Sequence, residues 1–168
     1  MKKCFFFILF VLFFSLSKSS FAVSKNELVE KVTATRRQSF LPVLSENSKL
    51  NQAAAAKLAD MQKYLYWSHD NPTTSQKWDS FIRQTGFKTA IAENLASNFS
   101  SSDKIITAWI NSPSHRKNLL NPKYNAYGVA IGQVNYPSGP KEVVVFHFGT
   151  VSKSSKLVSL SKAFSIFN

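Results

Sequence analysis

Residues 111–122 read NSPSHRKNLLNP, and the stretch divides the chain into two kinds of pattern. Pro113 ends one helical run and opens another, because proline is tolerated at a first helical position and not inside. His115 is thereby placed in the first turn of the new helix. Upstream, Ile105, Ile106, Trp109 and Ile110 recur at helical spacing. Downstream of Pro122 the period becomes two: Tyr127, Val129 and Ile131 alternate with Gly128, Ala130 and Gly132, as in a half-buried strand. Tyr136-Pro137-Ser138-Gly139-Pro140 is turn chemistry, and Val143 to Phe148 reads as a returning, more deeply buried strand. Helices followed by an antiparallel hairpin predict an α+β domain with helices covering a sheet.

Further upstream the helical signals continue. Ser24 and Glu27 have capping-box spacing, so a first helix starts near Asn26, with Leu28 and Val32 on its apolar side, and ends before Leu41-Pro42. Leu50, Ala54, Leu58, Met61 and Leu65 define a stronger second helix whose alanines predict close packing. It runs into Tyr66-Trp67-Ser68-His69, after which Asp70-Asn71-Pro72 turns the chain. Trp78, Phe81, Ile82 and Thr85 form a third stripe, closed by Gly86 as a left-handed cap. The serine-rich stretch 97–102 reads as a loop.

Met1-Lys2-Lys3, the apolar block Phe5 to Leu16 and the small residues ending Ser20-Phe21-Ala22 have the layout of a secretory signal peptide, with cleavage expected after Ala22. The block is shorter than the roughly 20 residues a spanning helix needs, so no transmembrane anchor is expected after processing. Three segments follow: a signal peptide over 1–22, one domain over 23–151, and a basic, serine- and lysine-rich tail over 152–168. The expected location is outside the cytoplasm: secreted, periplasmic or at the cell surface. The single cysteine, Cys4, precedes the apolar block, so the mature chain has no thiol and relies on its core rather than on disulfides.

The net charge is +12, of which Lys2, Lys3 and Lys18 belong to the leader, leaving +9 on the mature chain. Such a surface favours anionic envelope polymers, acidic lipid head groups or host-surface glycans. The lysines are scattered and no zinc-finger or aromatic-basic strand signature is present, which argues against nucleic acid.

The 168 residues include three histidines. His69 and His115, with Glu93, sit at element boundaries flanked by aromatic or apolar residues. Two imidazoles and a carboxylate suit a divalent cation such as zinc, with a fourth position for water. No two of these residues have the one-turn spacing of a helical metal motif, and solvated or capping histidines fit the same sequence. Glu93 reads equally well as a buried carboxylate holding local structure. His147 lies within a strand and points opposite to Phe146 and Phe148, which predicts one exposed strand histidine.

The ordered motifs YWSH (66–69), AENLA (92–96), AWINSPSHRKNLLNP (108–122) and YGVAIG (127–132) resemble the CAP superfamily, also called the SCP domain, and in particular its bacterial, cysteine-free secreted branch. The resemblance covers nearly all of residues 26–150. It implies a three-layer α-β-α sandwich with a central antiparallel sheet and a cleft where two histidines and two acids face one another. His69 and His115 match the two histidines and Glu93 the acid of the GEN-type motif. Ser112 stands where animal and plant members have the second glutamate, and Ala92 replaces the usual glycine. A neutral hydroxyl neither raises imidazole pKa values nor tightens a cation, so weaker ion binding is expected. Asp70 and Ser112 are expected to line the cleft.

Three functions follow as expectations. The favoured one is an exported binding module, whose cleft takes a divalent cation or a small apolar, lipid or sterol ligand and whose basic face meets the envelope or a host surface. The second is a metal-dependent hydrolase with Glu93 as general base; Asp70 or a substrate group would then supply the missing acid. The third is a surface scaffold with a vestigial cleft. No nucleophile-elbow motif is present, and one acid would have to serve as both ligand and base, so binding is favoured over catalysis.

Overall fold

The computed structural model describes residues 23–89 and 91–152. The expected signal peptide, and the tail from residue 153 onward, lie outside the described residues. The elements are α1 (Lys25–Gln38), β1 (Ser45–Glu46), α2 (Ser48–Tyr64), α3 (Trp78–Gln84), β2 (Ile91–Ser97), α4 (Ser102–Asn111), α5 (Pro113–Leu119), β3 (Ala126–Tyr136) and β4 (Gly139–Gly149). No described helix is long and apolar enough to cross a membrane.

The helices begin where the sequence supplies caps. Ser24 Oγ accepts from the Glu27 amide, Asn47 caps α2 and Ser101 caps α4. Gly86, at φ +77°, follows α3 as expected. Leu65 is not part of α2: it adopts a left-handed conformation at the C-cap and is 44% exposed, so the helical stripe ends at Met61.

The sheet order is β1-β3-β4-β2. The three long strands are antiparallel, with Glu93 opposite His147 and His147 opposite Gly128. The two-residue β1 joins β3 in parallel and is too short to show as a strand in the sequence. The architecture is α+β, with helices on both sheet faces.

On one face, Tyr127, Val129, Val144, Phe146 and Phe148 pack with residues of α1, α4 and α5, including Leu28, Val32, Ile105, Trp109 and Leu119. On the other, Ala54, Leu58 and Met61 of α2 meet Leu95, Val134, Val143 and Val145. β3 is therefore covered on both faces, not half-buried. Its glycines are there for contact: a Cβ on Gly128 would lie 2.1 Å from the Leu50 carbonyl carbon and 2.2 Å from the Asn51 nitrogen. The helix backbone comes that close because nothing projects from the strand.

The same second layer corrects the expectation for His147. Alternation does point it away from the two phenylalanines, but that direction leads under α2 and the side chain is fully buried.

Candidate functional site

The last turn of α2 and the segment after it bring His69 to the sheet. Lys57, a fully buried residue of α2, donates from Nζ to Tyr66 Oη at 2.7 Å, to the Ser68 carbonyl at 3.1 Å and to the His69 carbonyl. Tyr66 Oη in turn donates to Asp60 at 2.6 Å, and Asn71 donates to the same carboxylate oxygen at 2.8 Å. Burial lowers the Lys57 pKa, opposed by the charges of Glu93, Asp60 and Asp70. A buried ammonium is tolerated only when its donors are used, and here they clamp the backbone that carries His69.

Glu93 lies in the middle of β2, with its side chain 1% exposed. His69 Nδ1 is 2.7 Å from Oε1, and His147 Nε2 is 2.9 Å from Oε2. With the acid ionised, both rings donate. Burial opposes the carboxylate's charge; the hydrogen bonds from His147 and His69, with the charges of His147 and Lys57, outweigh it and hold the pKa below the usual carboxylate value. The side chain of His69 remains half exposed.

His115 approaches from the other helical layer. Asn94, the neighbour of Glu93, points to the opposite sheet face, where its amide donates to the His115 carbonyl at 3.1 Å and its oxygen accepts from Asn118 at 3.0 Å. The far end of α5 is tied down by buried Arg36, which donates to the carbonyls of Leu119, Asn121 and Tyr124. The His69 and His115 rings stand 6.5 Å apart, centroid to centroid. Burial, with the nearby charge of His69, lowers the pKa of His115.

Glu93 and His69 are thus hydrogen-bonded, with His115 beside them and His147 completing the acid's partners from beneath. Asp70 is engaged elsewhere, accepting from Lys77 Nζ at 2.8 Å and from the Trp78 amide at 3.0 Å. Ser112 links α4 to α5, and its hydroxyl lies 3.3 Å from that of Ser114.

The donor set does not fit a three-ligand metal centre. Among the described residues, no group of three or more His, Cys, Asp or Glu side chains is placed to hold an ion. The reason lies in Glu93, whose two oxygens already hold two ring nitrogens. The carboxylate orients His69 instead of standing beside it as a ligand.

Next to the histidines is a cavity of about 420 Å³ at the outer edge of β2. Trp67, Leu95, Phe99, Trp109 and Tyr136 provide its apolar wall; Ser97, His115 and Lys141 are among its polar lining.

Two helical layers over a largely antiparallel sheet, with a histidine-glutamate cleft at the sheet edge, define an α-β-α sandwich of the SCP type. The profile of the CAP family, the cysteine-rich secretory protein family, matches residues 29–148, and the chain belongs to that family. The uncharacterized protein YkwD of Bacillus subtilis (strain 168) is 34% identical over 113 residues, which cover 66% of this chain and 43% of YkwD. The chain therefore spans less than half of that relative's length. An outer surface protein of Borrelia burgdorferi superposes with a TM-score of 0.62 at 20% identity over 74% of this chain and 90% of its own. An extracellular SCP-domain protein of Bacillus anthracis str. Ames gives a TM-score of 0.62 at 24% identity, over 75% of this chain and 40% of its own. At those identities the two structures share the fold.

Proposed function

We propose that this chain is an exported binding module whose cleft takes a small, partly apolar ligand, while its basic surface meets the anionic polymers of an envelope or host surface. The observation that carries this reading is the state of Glu93. Both of its oxygens are engaged and the side chain is withdrawn from water, so the site's one acid orients a ring and cannot act as a base on solvent in the cleft. What faces the cavity is an aromatic wall with a few polar groups, the usual make-up of a small-molecule site. Export is supported by the leader-like layout of residues 1–22.

Trp67 is 49% exposed and lines the cavity, so ligand entry should change its fluorescence. Titration of the purified protein with a panel of small apolar molecules, lipids and sterols tests the reading. The expected result is a saturable change that Trp67→Phe removes; no change with any compound overturns it. N-terminal sequencing of the exported protein tests cleavage after Ala22.

One observation favours a second reading. A buried carboxylate on Nδ1 fixes the His69 ring with Nε2 as its other nitrogen, the orientation used by general-base histidines. Under this reading His69, not Glu93, is the base. Hydrolysis of a peptide and ester panel, abolished by His69→Ala, would establish it.

A further inference from the structure

The outer edge of β2 is chemically one-sided. Successive residues of a strand alternate in the direction of their amide and carbonyl groups. The Asn98 amide donates to Glu142 in β4, so the even residues face β4 and Ile91, Glu93, Leu95 and Ser97 face outward. Side chains from α4, α5 and the segment after α5 take three of the outward carbonyls. Tyr124 Oη donates to Ile91 at 3.2 Å, Asn118 Nδ2 to Glu93 at 3.2 Å and Trp109 Nε1 to Leu95 at 3.0 Å. An added peptide strand needs carbonyls as well as amides, and these carbonyls are occupied. Along Ile91, Glu93 and Leu95 the edge keeps its N–H groups for a ligand, and at Ser97 the amide faces outward beside its carbonyl.

The cavity has the same bias. Leu95 and Ser97, whose amides point outward, are part of its wall, and Ser97 Oγ is buried without a hydrogen-bond partner. Lys141 also lines it, with Nζ 5.8 Å from the centroid of the Tyr136 ring. Among the described residues no aspartate or glutamate does so. Donors and one cation on the polar side, facing Trp67, Phe99 and Tyr136 on the apolar side, suit a molecule with an anionic acceptor at one end and an apolar body.

We propose that this cavity binds a small carboxylate with an apolar body, its head group held by the outward amides of Leu95 and Ser97 and by Lys141. The proposal rests on the reading of the cleft as a ligand site and adds the ligand's chemical class and orientation.

The test compares 4-phenylbutyrate with its neutral isostere 4-phenylbutyramide on the purified protein, by tryptophan fluorescence and by amide NMR shifts. The carboxylate should bind about tenfold more tightly, the factor that one charge-assisted hydrogen bond supplies. Its largest shifts should fall on the Leu95 and Ser97 amides. Lys141→Gln should weaken carboxylate binding more than amide binding and so reduce the preference, and Lys141→Arg should restore it. Equal binding of the two compounds, or carboxylate shifts located elsewhere, overturns this inference and leaves the cleft reading standing. Binding of neither compound, with the broad panel also silent, overturns both.

Discussion

Glu93 and His147 face each other across the β2–β4 ladder, the acid's Oε2 lying 2.9 Å from the ring's Nε2 with both side chains removed from water. A buried carboxylate that loses a partner keeps its desolvation cost and loses the compensation. His147→Leu should therefore destabilise the fold by about 3–5 kcal/mol, the usual cost of breaking a buried charged pair from one side. Urea unfolding of the two proteins measures it. A loss below about 1 kcal/mol, the scale of an exposed pair, would show that the ring does not support the acid.

The lowered pKa of Glu93 sets the sign of an acid effect. Its ordinary value is 4.5, and the folded value lies below that. Above pH 4.5 the acid's contribution to stability is complete; it is lost as the pH falls through the folded value, because the unfolded chain then binds the proton more readily. Thermal midpoints recorded from about pH 7 to about pH 3 should fall in the lower part of this range, and Glu93→Gln should flatten that part of the curve.

His115 gives the same sign from a different cause, because here it is the protonated form that is charged and disfavoured. Burial and the charge of His69 disfavour its protonation, so its pKa lies below 6.5 and the ring is neutral at pH 7. The associated stability is complete above pH 6.5 and declines as the pH drops through the folded value. An NMR titration of the ring protons should give a midpoint below 6.5. In His69→Ala that midpoint should rise, since the second cause of the shift has been removed.

Much of this site is legible in the sequence, for identifiable reasons. His69 and His115 sit where a helix meets a turn, and Asp70-Asn71-Pro72 and Pro113 mark those junctions locally. Glu93 stands out as a lone acid among apolar neighbours, although nothing near it reveals that 92–96 is an edge strand. The burial of His147 is not legible, because period two fixes a side chain's direction and not what lies there; the answer depends on α2, far earlier in the chain. Gly128 and Gly132 hold the missing clue, since small residues facing the same way mark the close approach of another element. Arg36 and Lys57 are hidden for a related reason: each charge is buried against backbone carbonyls, and carbonyls leave no trace in a sequence.

That close approach can be tested at two glycines. The Cβ of Gly128→Ala would fall within 2.1–2.4 Å of the Leu50 and Asn51 backbone, which can yield only if α2 moves off the sheet. The cost should reach or exceed the upper end of the roughly 1–3 kcal/mol typical of overpacking. Gly139→Ala meets nothing within 4 Å and carries only the strain of φ +109°, of order 1–3 kcal/mol. Urea midpoints should rank wild type above Gly139→Ala and Gly139→Ala above Gly128→Ala. Equal losses would mean that backbone conformation, not helix contact, keeps glycine at position 128.

Zinc distinguishes a ligand from an orienting group. If Glu93 were a ligand, it would have to release the His69 nitrogen, leaving a buried histidine and a buried acid to find new partners beneath α2. Two imidazoles whose centroids are 6.5 Å apart would remain, without a carboxylate to balance the ion's charge. Protein dialysed against zinc at neutral pH and then against buffer should accordingly retain well under one equivalent of metal, and its thermal midpoint should not move. Glu93→Gln, which leaves both imidazoles in place, should change neither result. Retention of one ion that His115→Ala abolishes would mean that the acid trades its hydrogen bonds for the metal, and that the observed pairing is only one of the site's two arrangements.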